Sequence, residues 1–163
     1  MPLYFWDASA LIKRYFSETG SDTVDIIFVH VASSDMITTP FSYTECFSLL
    51  VRRHNEGVLN KANFTAAVTA FQSEMMQTGG IRFLPISDAS VFASVSLISG
   101  HNLNATDAAI LQDLLEYQKA SSYECILIAC DKRLLRAAKL GGVKTLNPQL
   151  SSPHEMAAEL ARL

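Results

Sequence analysis

The sequence predicts an α/β fold with parallel strands joined by helical crossovers. Short apolar runs alternate with longer segments of helical periodicity along the whole chain, and this alternation is typical of parallel sheets. The chain has 163 residues, of which 49% are hydrophobic, enough for one domain with a sizeable core. We find no repeat or linker, so we expect residues 1–148 to form one domain and residues 149–163 to add a C-terminal helix packed on it.

In the first half of the chain, strands and helices alternate. Val24, Ile27, Phe28 and Val31 recur with the spacing i, i+3, i+4, i+7, which predicts a helix, and Pro40 ends a short strand. We therefore predict strands at 3–6 and 36–39 and helices at 8–16, 21–32, 41–55 and 60–77.

The second half continues the alternation. Pro85 interrupts a strand and places it at an edge of the sheet, and Gly100 is expected to end the helix that Ser87 opens. We predict strands at 82–86, 125–130 and 143–146, and helices at 87–99, 105–119, 132–140 and from residue 151 onward.

Four acidic residues lie at or beside the start of predicted helices. Asp7 follows the first strand, Asp131 ends the strand at 125–130, and Glu45 and Asp107 come from helices. The carboxyl ends of parallel strands form one crevice in which ligands bind, so these carboxylates are expected to share a strongly negative pocket. A hard cation such as Mg²⁺ prefers oxygen ligands, and two-metal nucleases hold their cations with shared carboxylates. The pattern indicates metal-assisted phosphodiester chemistry.

Each of these acids also has a purely structural interpretation. Asp7, Asp107 and Asp131 could each cap the helix that follows, and Glu45 could lie at the edge of an apolar stripe. Ser9 could cap the first helix, or it could hydrogen-bond the Asp7 carboxylate or a metal-bound water.

The charge pattern leaves room for a nucleic-acid partner. A net charge of −3 argues against one, but basic residues cluster just after the acids and could contact phosphates. Ordinary solvated helix faces would explain them equally. Eight of the 13 Lys and Arg residues lie within eight positions C-terminal to Asp7, Glu45 or Asp131: Lys13, Arg14, Arg52, Arg53, Lys132, Arg133, Arg136 and Lys139.

Other residues give weaker signals. The three cysteines lack the spacing of a metal site, and we expect buried free thiols. Asp113 points ~120° away from Asp107 on an ideal helix and is expected in solvent, and His101 is expected to be a loop residue. No apolar run is long enough to span a bilayer and no signal segment is evident, so a cytoplasmic location without membrane contact is expected.

The four acidic positions lie in motifs that resemble those of the PIN-domain ribonucleases, and the closest match in size and layout is the VapC-like toxin branch of type II toxin–antitoxin systems. The resemblance covers roughly residues 3–148. It is carried by Asp7-Ala8-Ser9-Ala10-Leu11, Tyr43-Thr44-Glu45-Cys46, Thr106-Asp107-Ala108-Ala109-Ile110 and Ala129-Cys130-Asp131-Lys132-Arg133-Leu134-Leu135.

The resemblance implies a three-layer α/β/α sandwich with a central, mostly parallel sheet. It implies a Mg²⁺- or Mn²⁺-dependent endoribonuclease in which Asp7, Glu45, Asp107 and Asp131 bind the metal and the activated water, with Ser9 in support. RNA would be the substrate. It also implies a homodimer that a cognate antitoxin protein neutralises.

The chain departs from the family pattern in three places. Ala129 stands where many members carry Ser or Thr two positions before the last acid. The residues before the third acid include His101, Asn102 and Asn104, where many members carry a basic residue. The 24 positions from Asp107 to Asp131 are long for the family, which indicates an extended helix or loop around residues 117–124.

Two other functions stay open at this point. An aspartyl phosphatase could use Asp7 as its nucleophile, although Ser9 stands where that chemistry usually places a second Asp. The chain could also be a catalytically inactive PIN-like module that only binds protein or RNA, although all four acids are present.

Overall fold

A computed structural model of the chain describes residues 2–76 and 80–160. In that part of the chain, five strands form one all-parallel sheet in the order β3-β2-β1-β4-β5. The strands are β1 (Leu3–Trp6), β2 (Met36–Thr38), β3 (Arg82–Phe83), β4 (Cys125–Ile128) and β5 (Lys144–Leu146). The helices are α1 (Ala8–Leu11), α2 (Ser21–His30), α3 (Pro40–Asn55), α4 (Lys61–Met76), α5 (Asp88–Ala93), α6 (Val95–His101), α7 (Ala105–Ala120), α8 (Lys132–Leu140) and α9 (Pro153–Leu160).

The central strand β1 supplies both faces of the sheet with core residues. Its four side chains are buried, and because successive side chains of a strand point to opposite faces, they divide between two clusters. Tyr4 and Trp6 pack in one cluster, whereas Leu3 and Phe5 pack in the other.

Helices cover both faces of this sheet. The first cluster takes buried residues from α2, α3, α4 and α9, and the second takes them from α7 and α8. A parallel sheet with both faces covered is the arrangement in which apolar strands such as these are stable. The predicted three-layer α/β/α sandwich is therefore confirmed.

The strand order reverses at β1, which pairs with β2 on one side and with β4 on the other. The backbone N–H of Asp7, directly after β1, donates to the Ile128 carbonyl at the end of β4 (3.0 Å). In open α/β sheets, ligands bind in the crevice at such a switch point, so the ends of β1 and β4 mark where a site is expected.

The C-terminal segment packs against the start of α2. Gly20 has a φ of +94°, and a Cβ there would come within 2.9 Å of the Pro148 carbonyl oxygen. Both the backbone conformation and the lack of space therefore disfavour any other residue at this position. The Thr23 hydroxyl donates to the Ser151 carbonyl (2.8 Å), and Met156 of α9 is buried in the first cluster.

Most predicted elements are present, and β3 lies at the sheet edge as expected, but the single helix predicted at 87–99 is wrong. Two helices, α5 and α6, meet at Ser94, whose hydroxyl donates to the Val91 carbonyl (2.7 Å). Serine side chains compete for backbone partners in this way. Gly100 and His101 lie within α6, so the expectation that His101 is a loop residue is wrong, and the helix is capped by Asn102 in the left-handed conformation (φ 54°).

Smaller differences concern the ends of elements. The helix predicted at 8–16 is one α-helical turn followed by a 3-10 turn, Ile12–Arg14. The end of the helix predicted at 60–77 lies outside the described residues. The long interval before Asp131 is occupied by α7, which runs for 16 residues. Among the described residues, no helix is both long and apolar enough to cross a membrane.

Candidate active site at the carboxyl end of the sheet

Asp7 lies at the centre of the site, directly after β1. It is the N-cap of α1 and is almost fully buried, with 4% of its surface exposed. Its Oδ2 atom accepts hydrogen bonds from the backbone N–H (3.0 Å) and the hydroxyl of Ser9. The same hydroxyl accepts from the backbone N–H of Cys130 (2.9 Å). Ser9 therefore ties the Asp7 carboxylate to the segment that follows β4.

Asp131 follows β4 and is the N-cap of α8. Its Oδ1 atom accepts from the backbone N–H groups of Arg133 (2.7 Å) and Leu134 (2.9 Å). Both capping bonds use Oδ1, so Oδ2 takes no part in the cap. Asp131 can therefore cap α8 and still offer an oxygen to a metal ion.

Asp107 lies in the first turn of α7, but Asn104 is the N-cap of that helix. The Asn104 side-chain oxygen accepts from the Asp107 backbone N–H (2.8 Å), and its amide group donates to the Asp107 carboxylate (2.9 Å). This reciprocal pair fixes the carboxylate near the helix N-terminus, where the helix dipole favours negative charge.

Glu45 comes from α3 and faces α7 across a groove. The groove has a volume of about 440 Å³ and is lined by Phe41, Thr44, Glu45 and Ser48 of α3 and by residues 104–107. Glu45 is exposed at its rim. The groove therefore joins two of the four predicted acids.

The carboxylates repel one another. Burial is the largest cause of a rise in the pKa of Asp107 from 3.8 to about 7, and the charges of the other three carboxylates add to it. Burial also raises the pKa of Asp7, with a further contribution from Asp131. Partial desolvation by the surrounding protein raises the pKa of Glu45, and the charge of Asp7 raises it further. Four acids from four separate segments thus share one electrostatic environment.

Comparison with known proteins identifies the family. The family model of the PIN domain matches residues 4–140, which includes the segments that carry all four acids. The chain belongs to the PIN domain family. PIN domains are generally nucleases, so the predicted family and the nuclease class are confirmed. No curated protein sequence matches the chain significantly.

Solved structures of similar fold agree with this assignment. PAE2754 from Pyrobaculum aerophilum is 16% identical with a TM-score of 0.64, and the match covers 99% of this chain and 91% of that one. FitAB bound to an IR36 DNA fragment is 14% identical (TM-score 0.59; 93% and 99% covered). FitAcB from Neisseria gonorrhoeae is 14% identical (TM-score 0.58; 91% and 100% covered). At these identities the similarity concerns the fold.

The donor set of this PIN domain fits a hard divalent cation. Carboxylate oxygens are the ligands that Mg²⁺ and Mn²⁺ prefer. A bound cation would neutralise the negative charge of the four acids and so relieve their mutual repulsion. Within residues 2–76 and 80–160, no three Asp, Glu, His or Cys side chains lie close enough together to form a ready metal site. A cation would therefore draw the carboxylates closer than they lie in this structure.

Two of the basic residues that could contact phosphates are already paired with acidic side chains. Arg14 is held by Asp25 (2.7 Å) and Glu74 (2.9 Å), and Lys13 is buried against Glu18 (2.5 Å). These two residues are therefore engaged within the protein and do not form part of an open basic rim.

Asp113 is buried, so the expectation that it lies in solvent is wrong. Only 8% of its surface is exposed, and its carboxylate accepts from the Ser90 hydroxyl of α5 (2.5 Å). Because α5 packs on α7, it covers a helix face that would otherwise be solvated. Asp113 therefore belongs to a helix contact outside the groove.

Asn104 contributes to the candidate site in a way that the sequence did not predict. From the sequence it is only one of the residues that depart from the family pattern before the third acid, whereas in the structure it caps α7 and contacts the Asp107 carboxylate. The sequence does contain a signal, because Asn followed by an acid three positions later resembles a capping box.

Proposed function

We propose that this PIN domain is a metal-dependent endoribonuclease that hydrolyses internal phosphodiester bonds of RNA with Mg²⁺ or Mn²⁺. One observation carries the proposal: Asp7, Glu45, Asp107 and Asp131 come from four separate segments where β1 and β4 end, and burial together with the charges of neighbouring acids raises the pKa values of Asp7, Glu45 and Asp107. Uncompensated repulsion of this kind is costly. It is typical of functional sites, where a cation neutralises it.

Each of the four residues has a defined part in the proposal. Asp7 and Asp131, fixed by Ser9 and by the N-terminus of α8, would hold the cation at the sheet edge. Asp107 and Glu45 would close the site from either side of the groove. When bound, the metal supplies charge stabilisation and a water activated at neutral pH. The carboxylates would orient a water molecule toward a phosphate bound in the groove.

We further propose that the chain is the toxin of a toxin–antitoxin pair, on the strength of its resemblance to VapC-like proteins. In this proposal residues 1–148 are the nuclease domain, residues 149–163 add a helix to it, and a cognate antitoxin covers the site. A homodimer would bury the apolar patch formed by Val91, Phe92 and Val95, whose surfaces are 42%, 79% and 61% exposed. Exposed apolar patches often mark such interfaces.

The test is cleavage of a mixed RNA pool by the purified protein with Mn²⁺, with Mg²⁺ and with EDTA. We expect internal cleavage that needs metal and is lost in Asp7→Asn and Asp131→Asn. Asp88→Asn is the matched control, because Asp88 is an exposed acid in the first turn of α5. Cleavage in EDTA, or cleavage that survives both site variants, would refute the proposal.

The structure bears on the two alternatives. Ser9 occupies the position that an aspartyl phosphatase would need for its acid, and its hydroxyl is committed to Asp7, which disfavours that chemistry. In an inactive binding module, the repulsion between the four carboxylates would be a cost in stability without any function. If RNA is bound but never cut with either metal, that alternative would replace the proposal.

A further inference from the structure

A second pocket opens beside Ser9, the residue that hydrogen-bonds the Asp7 carboxylate. Its volume is about 230 Å³. The 3-10 turn after α1, the face of α3 that carries Leu49 and Arg53, and Cys130 after β4 form its walls. Larger cavities exist, including one of about 630 Å³ along β5, but the residues that line that cavity include no acid of the site.

The pocket is joined to the proposed catalytic site through two lining residues. Ser9 lines it and donates to the Asp7 carboxylate. Cys130 also lines it and directly precedes Asp131 in the chain. A group bound in the pocket would therefore lie next to a ligand bound by Asp7 and Asp131.

An aromatic ring and a guanidinium form the outer part of the pocket. The guanidinium carbon of Arg53 lies 5.6 Å from the centre of the Phe16 ring, and both side chains are partly exposed. Ile12 and Leu49 complete an apolar wall. Aromatic and guanidinium planes are the surfaces on which single-stranded bases stack.

The charges in the pocket favour an uncharged occupant. Lys13 is paired with Glu18 (2.5 Å), and Arg53 is paired with Glu56 (3.3 Å). Since each cation already has an anionic partner, a second phosphate would gain little there. A ring that carries both hydrogen-bond donors and acceptors matches the lining better, because Glu18 offers acceptors and Gln149 offers both a donor and an acceptor.

From this geometry we infer that the pocket between Phe16, Arg53 and Ser9 binds one unstacked base of single-stranded RNA, that of the nucleotide next to the scissile phosphate. The inference rests on the proposed ribonuclease function and adds a substrate-specificity determinant to it. Phe16 and Arg53 provide the stacking surface, and Glu18 and Gln149 select among bases by hydrogen bonding.

A binding measurement tests the inference without relying on catalysis. A short, fluorescently labelled single-stranded RNA of degenerate sequence is titrated in EDTA and followed by anisotropy. Phe16→Leu and Arg53→Gln are each expected to raise Kd about tenfold, the loss expected for one stacked base. Tyr123→Leu and Lys144→Gln are matched controls, because both positions lie before or at the start of strands, at the opposite end of the sheet, and they should leave Kd unchanged.

Sequencing of the cleavage ends supplies the second readout. The wild type should show a base preference at one position beside the cut, and this preference should flatten in both pocket variants while cleavage still requires metal. Arg53 is on the surface, so its variant tests the inference even if Phe16→Leu lowers the stability of the fold.

The possible failures are distinguishable. Cleavage with unchanged base preference and unchanged Kd in both variants would overturn the base pocket and leave the nuclease standing. RNA binding that depends on Phe16 and Arg53 without any cleavage would overturn the nuclease and keep the base pocket. Neither binding nor cleavage would overturn both.

Discussion

Replacing Asp107 by Asn should stabilise the metal-free protein, and the gain should grow with pH. The pKa of Asp107 is raised from 3.8 to about 7, first by burial and then by the charges of the three other acids. Below pH 3.8 the carboxyl is protonated in the folded and unfolded states, so it costs nothing. Between pH 3.8 and about 7 the folded state keeps a proton that the unfolded state loses, so the free energy of unfolding falls as pH rises. Above pH 7 the penalty is constant.

The size of the effect follows from that rise in pKa. A rise from 3.8 to about 7 corresponds to ~4 kcal/mol at most. The carboxyl is only half-buried, and solvent screens part of this cost, so we expect Asp107→Asn to gain ~1–2 kcal/mol at pH 8. For a chain of this length, that gain raises Tm by roughly 2–8 °C. The Asn side chain can still accept the hydrogen bond from Asn104.

Thermal unfolding in EDTA, followed by circular dichroism at pH 5 and pH 8, measures the effect. The Tm difference between Asp107→Asn and the wild type should be larger at pH 8 than at pH 5. Asp88→Asn, an exposed acid in the first turn of α5, should give no such gain. If Asp107→Asn melts at or below the wild-type temperature at pH 8, the account of mutual repulsion is refuted.

Three other perturbations follow from the same structure. Mn²⁺ at about 100 times its Kd should stabilise the wild type by ~2.7 kcal/mol and raise Tm by roughly 5–10 °C; no shift at millimolar metal would count against the site. Ser9→Ala removes the hydroxyl that ties Asp7 to a backbone N–H beyond β4. It should cost ~1–2 kcal/mol and lower RNA cleavage ~10- to 100-fold, whereas Ser9→Thr should retain most activity; equal cleavage by the two variants would contradict the positioning role. Arg14→Gln breaks the partly exposed pair with Glu74 and should cost ~1 kcal/mol in urea unfolding, while the exposed Arg82→Gln should be neutral; equal losses would show that the pair contributes nothing specific.

The fold could be predicted from the sequence because local and global signals agree. Apolar runs of four residues, such as Leu3–Trp6, are buried on both faces of a parallel sheet and alternate with helical segments. The failures occur where a side chain competes with the helix for backbone partners. Ser94 divides a helix whose apolar periodicity continues through it, and periodicity alone does not show that break.

The candidate site was only partly predictable. Asp7 and Asp131 could be placed at one edge because each directly follows a strand-like run and parallel strands end at the same edge. The burial of Asp113 under α5, the pairing of Lys13 with Glu18, and the pocket at Phe16 depend on which helices pack together. No local pattern in the sequence reports those contacts.

Calorimetric titration of the wild type and Asp7→Asn with Mn²⁺ near pH 7, in buffers of different ionisation enthalpy, tests the central claim most directly. If the four carboxylates form one cation site, the wild type binds Mn²⁺ and releases protons, because Asp107, with a pKa of about 7, must lose its proton to bind metal. Asp7→Asn should bind at least tenfold more weakly. Equal binding by the two proteins, or no binding by the wild type, would contradict the claim that these residues form a metal-dependent active site.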